Sequence, residues 1–486
     1  MMRRSLLAVM ALAAALGCGE DGGEEDIEYH WAEQVDGFWG DAPEQATRLA
    51  LFDELWGTIG PRYPGFGIND VDWDAVRDEF RPAAEAAEGY GRFYQLLSEV
   101  VSGMHDGHTN ILSTRVCDTT LAARPPRFVL SGLLLTTETG VCVTPTDDGR
   151  LLVFRTDDDN PAGLAPGDEI LGYDGKPWNE LLELIATWEL PLCGFRGSAA
   201  AADEFLHRVA VQDNPHLFER MDVRRHGAAT MESIPTDTLL TYSGDLVCPP
   251  QLPVQGVEFP WTTESEADAG ASPISWGLLT GTNVGYIYVY NWMPGTDVEA
   301  QFTAAITAFQ DADGIIVDQR YNTGGAQFWL QAAAMLFDTD HDRIWCSASR
   351  KPQPSEPTDL QIHSCQGIDA DESTYLDRPI AILTGPQAAS AGDLFPYEMS
   401  LHPRVRRFGR ATHGSFARAT MLWDLDPQLD DLWARFAKDV FTDSNDEHLQ
   451  ATEQPPDVEL WLQPDDVAAG RDTVVEAALQ WIAGES

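Results

Sequence analysis

Lysine is scarce in this chain: 486 residues hold only Lys176, Lys351 and Lys438. Basic residues of both kinds number 31 against 78 acidic ones, a formal net charge of −47. A surface so short of positive charge repels phosphate backbones, which argues against nucleic acid as a partner and disfavours anionic membrane surfaces. Its plain reading is solubility. No Cys-x-x-Cys pair occurs, nor any zinc-type spacing; neither a metal nor an organic cofactor is expected. The apolar run at the N-terminus, Leu6 to Leu16, is too short to cross a bilayer, which takes about 20 residues. Core-forming residues, by contrast, are plentiful. Hydrophobic residues make up 43%, with 15 Trp and 20 Phe, unlike a disordered chain. At about 150 residues per domain, the length allows roughly three domains.

The first residues, "MMRRSLLAVMALAAALGC", join Arg3 and Arg4 to a short apolar core and small residues, the pattern of an export signal. Their end, "ALGC", resembles a bacterial lipobox. That resemblance implies removal of residues before Cys18, lipidation of Cys18, and a lipid-anchored chain of the cell envelope. Residues 19–27 read as an acidic, solvated tether. Apart from Cys18, six cysteines remain, an even number that in an exported chain points to disulfides. Six cysteines allow 15 pairings. Cys346 and Cys365, close together and separated by polar turn residues, are the first pair to expect.

Residues 28–120 read as helical. Leu49, Phe52, Leu55 and Trp56 recur at helical spacing, and "GRFYQLLSEVVSGM" repeats the pattern before "MHDGHTNIL". From 125 to 190 the pattern changes to short β-rich runs divided by Gly and Asp turns. The stretch "NPAGLAPGDEILGYDGKPWNELLELI" resembles the late segment of a PDZ domain, which implies binding of extended peptide ends by strand addition. Residues 191–275 read as a connecting segment. From 276 to 486, apolar strands alternate with amphipathic helices, as in a βαβ sheet. The expected fold class is multidomain α+β: a helical N-terminal domain, a PDZ-like β domain and an α/β core.

Two strand ends in that core carry chemistry. "GPQAASAGDLF" follows the buried run "PIAILT" and holds Ser390 in a small-residue turn at the start of a helix. Such a serine is either a helix cap or a nucleophile beside the positive end of a helix. "DGIIVDQRYNTGG" ends another buried strand, with Gly324 and Gly325 leaving backbone N–H groups open to a ligand. A hydroxyl at one strand end and N–H donors at its neighbour make a nucleophile with an oxyanion hole.

These segments resemble the S41 peptidases, the C-terminal-processing and tail-specific proteases. "VDQRYNTGG", "AASAGDLF", "GRATHG", "PPDVEL" and "GRDTVVEAAL" are similar to their ordered motifs. The resemblance implies a crotonase-like ββα core, cleavage of peptide or protein substrates, and Ser390 as nucleophile with Gly324 or Gly325 and Ala391 as oxyanion donors. The position of the lysine in the Ser/Lys branch is Ser415 here, so the dyad is absent. "MHDGHTNIL" instead resembles the branch of the tricorn core and the repeats of interphotoreceptor retinoid-binding protein. There the matching base is His108, with His413 as runner-up. A polar residue precedes the histidine in that branch, where this chain has Gly107. The orienting group stays open among Glu447, Gln450, Glu453 and Asp106. Arg320, Asn322 and His413 are candidate substrate-binding residues, Arg320 with a turn-bracing alternative. A binding protein without catalysis on the same scaffold is the other expectation.

Overall fold

The computed structural model describes residues 29–117, 130–131, 137–185, 190–193, 198–244, 246–248, 252–258, 273–293, 297–326, 328–351, 359–371, 377–425, 432–449 and 453–485. The export signal, Cys18, the acidic tether and Gln450 lie outside them. Of two separable units, Met1–His30 contributes residues 29 and 30, and Trp31–Ser486 carries everything described below.

Helices span Trp31–Trp39, Gln45–Ile59, Trp73–Ala86 and Tyr90–Ser102. The third starts where Asp72 accepts the Ala75 N–H (3.0 Å), a side-chain cap that satisfies one of the free donors of the first turn. The fourth buries Tyr90, Phe93, Tyr94, Leu97 and Val101, the three- and four-residue spacing seen in its sequence. Past Gly103 the chain turns through His105 (φ 51°) and enters the strand Asn110–Ser113. That strand pairs antiparallel with Leu432–Asp443 near the other end of the chain, Asn110 facing Arg435. His108 is thus fixed between a buried helix and a strand.

A second sheet runs in the order 141–145, 151–156, 169–173, 220–224, 231–235, with 176–177 beside 169–173. Its last two main strands, and the helix Ala199–Gln212 that packs on it, come from the segment read as connecting chain. Disulfides join Cys117 to Cys193, Cys142 to Cys248, and Cys346 to Cys365. The last is the expected pair, and its two cysteines face each other across antiparallel strands.

The core is a six-stranded sheet ordered 274–278, 284–289, 314–318, 380–384, 405–409, 458–459. All its neighbours are parallel except the first pair. Its central strands are buried throughout, as continuous apolar runs in parallel sheets should be. Alternate side chains serve opposite faces. Ile315, Val317, Ile380 and Ile382 pack with Phe302, Trp329 and Phe395 from the helices 298–308, 328–334 and 391–399. Ile316, Ala381 and Leu383 pack with Val474, Ala478 and Ile482 of the last helix, Thr473–Glu485. Each large aliphatic group so buried contributes about 1.5–3 kcal/mol.

One ion-pair network ties this last helix to the strand end that carries the glycine turn. Arg320, 1% exposed, donates to Asp318 Oδ2 (2.6 Å) and to Asp472 Oδ2 (2.7 Å). Asp472 also accepts the Val474 N–H (3.0 Å) at the helix start, and the Tyr286 hydroxyl donates to Asp318 (2.7 Å). Burial works against the Arg320 charge, but the two carboxylates hold the guanidinium protonated. Replacing Arg320 with methionine would strand two buried carboxylates. The expected loss is roughly 3–5 kcal/mol of stability. Denaturant melts of Arg320→Met check this, and a loss under about 1 kcal/mol would show that the network braces nothing.

Candidate active site

Ser390 ends the turn after the strand Ile380–Thr384 and is the N-cap of the helix Ala391–Met399. Its φ of 60° is unusual for a residue with a side chain and marks a strained elbow between strand and helix. The elbow is held by Asp393, three residues on, which accepts the Ser390 N–H (2.7 Å). The Ser390 Oγ lies 3.1 Å from His108 Nε2, although 282 residues separate the two in sequence. The residue at the helix cap is therefore also the one that meets His108.

Asp393 does more than cap. It is fully buried and also accepts the Gly414 N–H (2.8 Å), the Ser415 N–H (3.0 Å) and the Thr412 hydroxyl. One carboxylate thereby joins the Ser390 elbow to the turn 412–415. Burial pushes its pKa up to about 7, against the pull of those four donors toward the ionised form.

The glycine turn packs directly on the elbow. A Cβ at Gly324 (φ 93°) would stand 2.8 Å from Ser390 Cβ, and one at Gly392 would stand 2.7 Å from Asn322 O. Asn322 is the joint: its amide donates to Val289 O (2.9 Å), its carbonyl accepts the Ala389 N–H (2.9 Å), and its side-chain oxygen accepts the Gly324 N–H (2.9 Å). That last bond corrects the oxyanion assignment, since the Gly324 N–H is already taken. The Gly325 and Ala391 N–H groups have no acceptor among the described residues. They are the pair free to hold a developing negative charge.

His108 is positioned from its backbone. Asp106, 2% exposed, accepts the His108 N–H (2.9 Å) and the Thr109 hydroxyl (2.9 Å), and Thr109 Oγ1 accepts the Ala437 N–H (3.2 Å) of the long strand. Burial lowers the His108 pKa; the Asp106 charge opposes this and the Arg435 charge adds to it. The ring Nδ1 is buried with no hydrogen-bond partner among the described residues. Glu447 and Glu453 are exposed and do not reach it. Asp106 lies beside it but binds the loop rather than the ring.

The remaining sequence candidates fall into place physically. His413 is buried, 2.5 Å by Nδ1 from Ser415 Oγ, and is not the partner of Ser390. Burial and then the neighbouring His108 push its pKa down to about 4. Arg320 and Asn322 are inside the protein with their polar atoms spent on bracing bonds, so the substrate-binding reading of both is corrected and Arg320 takes its turn-bracing alternative. Two contributors escaped the sequence. Ser415 lies against Gly107, where a Cβ would stand 2.1 Å from Ser415 Oγ and 2.8 Å from His413 Cε1. Ser198, cap of the helix 199–212, donates its N–H to His413 O (3.1 Å). A cap signal, "GSAAAADEF", was present, but nothing local tied it to residue 413.

Two outcomes follow from these contacts. A serine at position 107 cannot enter without displacing Ser415 or His413, so Gly107→Ser should move the His108 ring off Ser390. The His108 ring signals in NMR spectra would report it. In the intact chain His108 should titrate below about 6.5, the ordinary imidazole value. Removing the Arg435 charge (Arg435→Met) should raise that midpoint, and Asp106→Asn should lower it further. Shifts of one sign in both variants would contradict the charge assignment.

Residues 283–460 match the family model of peptidase family S41, and residues 44–102 match that of the tricorn protease C1 domain. No curated protein matches the chain. Among solved structures, mature CPAF complexed with lactacystin is similar at 13% identity and a TM-score of 0.64, over 90% of this chain and 98% of that one. Mature CPAF alone is similar at 12% identity and a TM-score of 0.64, over 90% and 96%. At such identities the likeness is one of fold: this chain folds as a mixed α/β multidomain protein of the kind seen in S41 proteases, and its 283–460 region is similar to that hydrolase family.

Proposed function

We propose that the chain is a serine endopeptidase of the S41 type, of the branch that takes its base from an N-terminal histidine. The observation that carries the reading is the 3.1 Å approach of His108 Nε2 to Ser390 Oγ at a strained strand–helix elbow. Ser390 attacks the peptide carbonyl as its proton passes to His108, and the Gly325 and Ala391 N–H groups take the oxyanion. His108 then returns the proton to the leaving amine, and water resolves the acyl-enzyme by the same route. The sheet containing 141–156 and 169–173 serves as a PDZ-like module that captures extended peptide by its edge. The N-terminal segment directs export and anchors the chain at the cell envelope through Cys18.

One observation favours the second reading, a peptide- or ligand-binding protein without catalysis. His108 Nδ1 has no hydrogen-bond partner, acid or otherwise, among the described residues. A fluorophosphonate probe separates the two. Labelling of the wild type, lost in Ser390→Ala and slowed roughly 10²–10⁴-fold in His108→Ala, is the expected result. Equal labelling of all three, or no labelling with no cleavage of a peptide library, rejects the peptidase.

A further inference from the structure

Of the three disulfides, one reaches the surface. Cys142, Cys193 and Cys248 are buried and Cys117 is half-buried, whereas Cys365 is exposed. Its partner Cys346 is wholly buried. The difference follows from position. Leu360–Ile368 is the last strand of its sheet, paired on one side with His341–Arg350 and with no further described strand beyond it.

A cation stands at the buried sulfur. Arg343 Nε donates to Cys346 Sγ (3.1 Å). On a regular strand, residues three apart face opposite ways and could not meet like this. A bulge makes the contact possible: the step from His341 to Trp345 on one strand is matched only by Ile368 to Gln366 on its neighbour. Such bulges re-aim side chains. The guanidinium also pairs with Asp446, but that carboxylate is exposed and screened by water. A thiolate forming on buried Cys346 meets little water and depends on the guanidinium. The other two pairs have only neutral groups recorded at their sulfurs among the described residues. The Tyr94 hydroxyl lies by Cys117 Sγ (3.1 Å) and the Val141 carbonyl by Cys248 Sγ (3.7 Å).

These two features divide the roles of the sulfurs. In exchange, an outside thiolate attacks one sulfur and the other leaves as a thiolate, faster when that thiolate is stabilised. Cys365 is the sulfur open to attack, and Cys346 is the one with a cation to receive it. The strands are also held by their own ladder, from His341 facing Ile368 to Arg350 facing Leu360. The bond closes a separation of 19 residues, against 76 and 106 for the others, so it constrains the unfolded chain least. Opening it leaves the sheet standing.

We propose that Cys346–Cys365 is a thiol–disulfide exchange site, opened by an outside dithiol that attacks Cys365 and expels Cys346. The first step joins Cys365 to the reductant in a mixed disulfide and leaves Cys346 as a thiolate beside Arg343. The second thiol of the reductant then attacks its own sulfur in that mixed disulfide, closes the reductant's disulfide and releases Cys365. Two electrons pass to the protein, and the two freed thiolates take up the protons that the dithiol gives up. Neither Ser390 nor His108 takes part, so the outcome is independent of the proposed peptidase activity.

Timed alkylation of the native full chain, with mass mapping of each cysteine, tests it. Under dithiothreitol, Cys346 and Cys365 should become alkylated at least about tenfold faster than the other two pairs. Under glutathione, the trapped adduct should sit on Cys365, with Cys346 alkylated. Arg343→Gln should slow the opening about threefold or more, and Arg343→Lys, which keeps a cation, should restore most of the rate. Melting temperatures taken before reduction show whether the variants are folded; should Arg343→Gln unfold, the position of the glutathione adduct in the wild type decides. Equal rates for the three disulfides overturn the proposal. So does a glutathione adduct on Cys346, or a folded Arg343→Gln that opens as fast as the wild type.

Discussion

The site hangs on one buried carboxylate. Asp393 accepts the N–H of Ser390, which sets the elbow, and the N–H groups of Gly414 and Ser415, which set the turn beside it. A carboxylate with that many backbone partners behaves as a rigid staple, because losing any one leaves a polar group buried without a mate. The turn it holds places Ser415 and His413 against Gly107, the residue before His108. Ser390 and His108 are thus referred to the same carboxylate, one by three residues of chain and the other through packing. Burial resists ionisation of Asp393 while its donors favour it, and this balance makes the staple sensitive near neutral pH.

Around that staple, contact between backbones does what side chains do elsewhere. Gly324 and Gly392 let the two strand-end turns touch, and Asn322 stitches them with three bonds. The cost of burying so polar a joint falls on the core beneath it. Ile315, Val317, Ile380 and Ile382 support it on one face, and the Arg320 network clamps the last helix on the other. Ser390 can stay in a strained φ because the turns on both sides of it are over-determined.

Much of this was legible in the chain. The apolar runs before Ser390 and Asp318 announced buried parallel strands, and the small residues after them announced turns at one edge of a sheet. The local signals could also say that Ser390 starts a helix. They could not say that Asp393 reaches across to residues 414 and 415, nor that the Gly324 N–H is taken, because both depend on how two turns dock. Arg320 illustrates the same limit: in "D-x-R" it reads as a substrate binder or a turn brace, and only Asp472, 152 residues away, decides for the brace. The segment 191–275 was least readable. Its strands at 220–224 and 231–235 are short, and their partners lie outside the segment or across a single hairpin.

The lack of a described hydrogen-bond partner at His108 Nδ1 has a physical consequence. For Nε2 to accept the Ser390 proton, the neutral ring must carry its own proton on Nδ1, which is buried without an acceptor among the described residues. Such a donor costs about 1–3 kcal/mol. Protonating Nε2 as well would put a full charge into a space where burial and Arg435 both oppose it, with only Asp106 in favour. An imidazolium formed during proton transfer is therefore stabilised from Asp106, through the space beside the loop, and not along a ring hydrogen bond. In this arrangement the ring's direction comes from the backbone grip on His108 and from the close fit of Gly107. The His108 ring is oriented mechanically and its charge is balanced at a distance, so its pKa and its aim are governed by different residues.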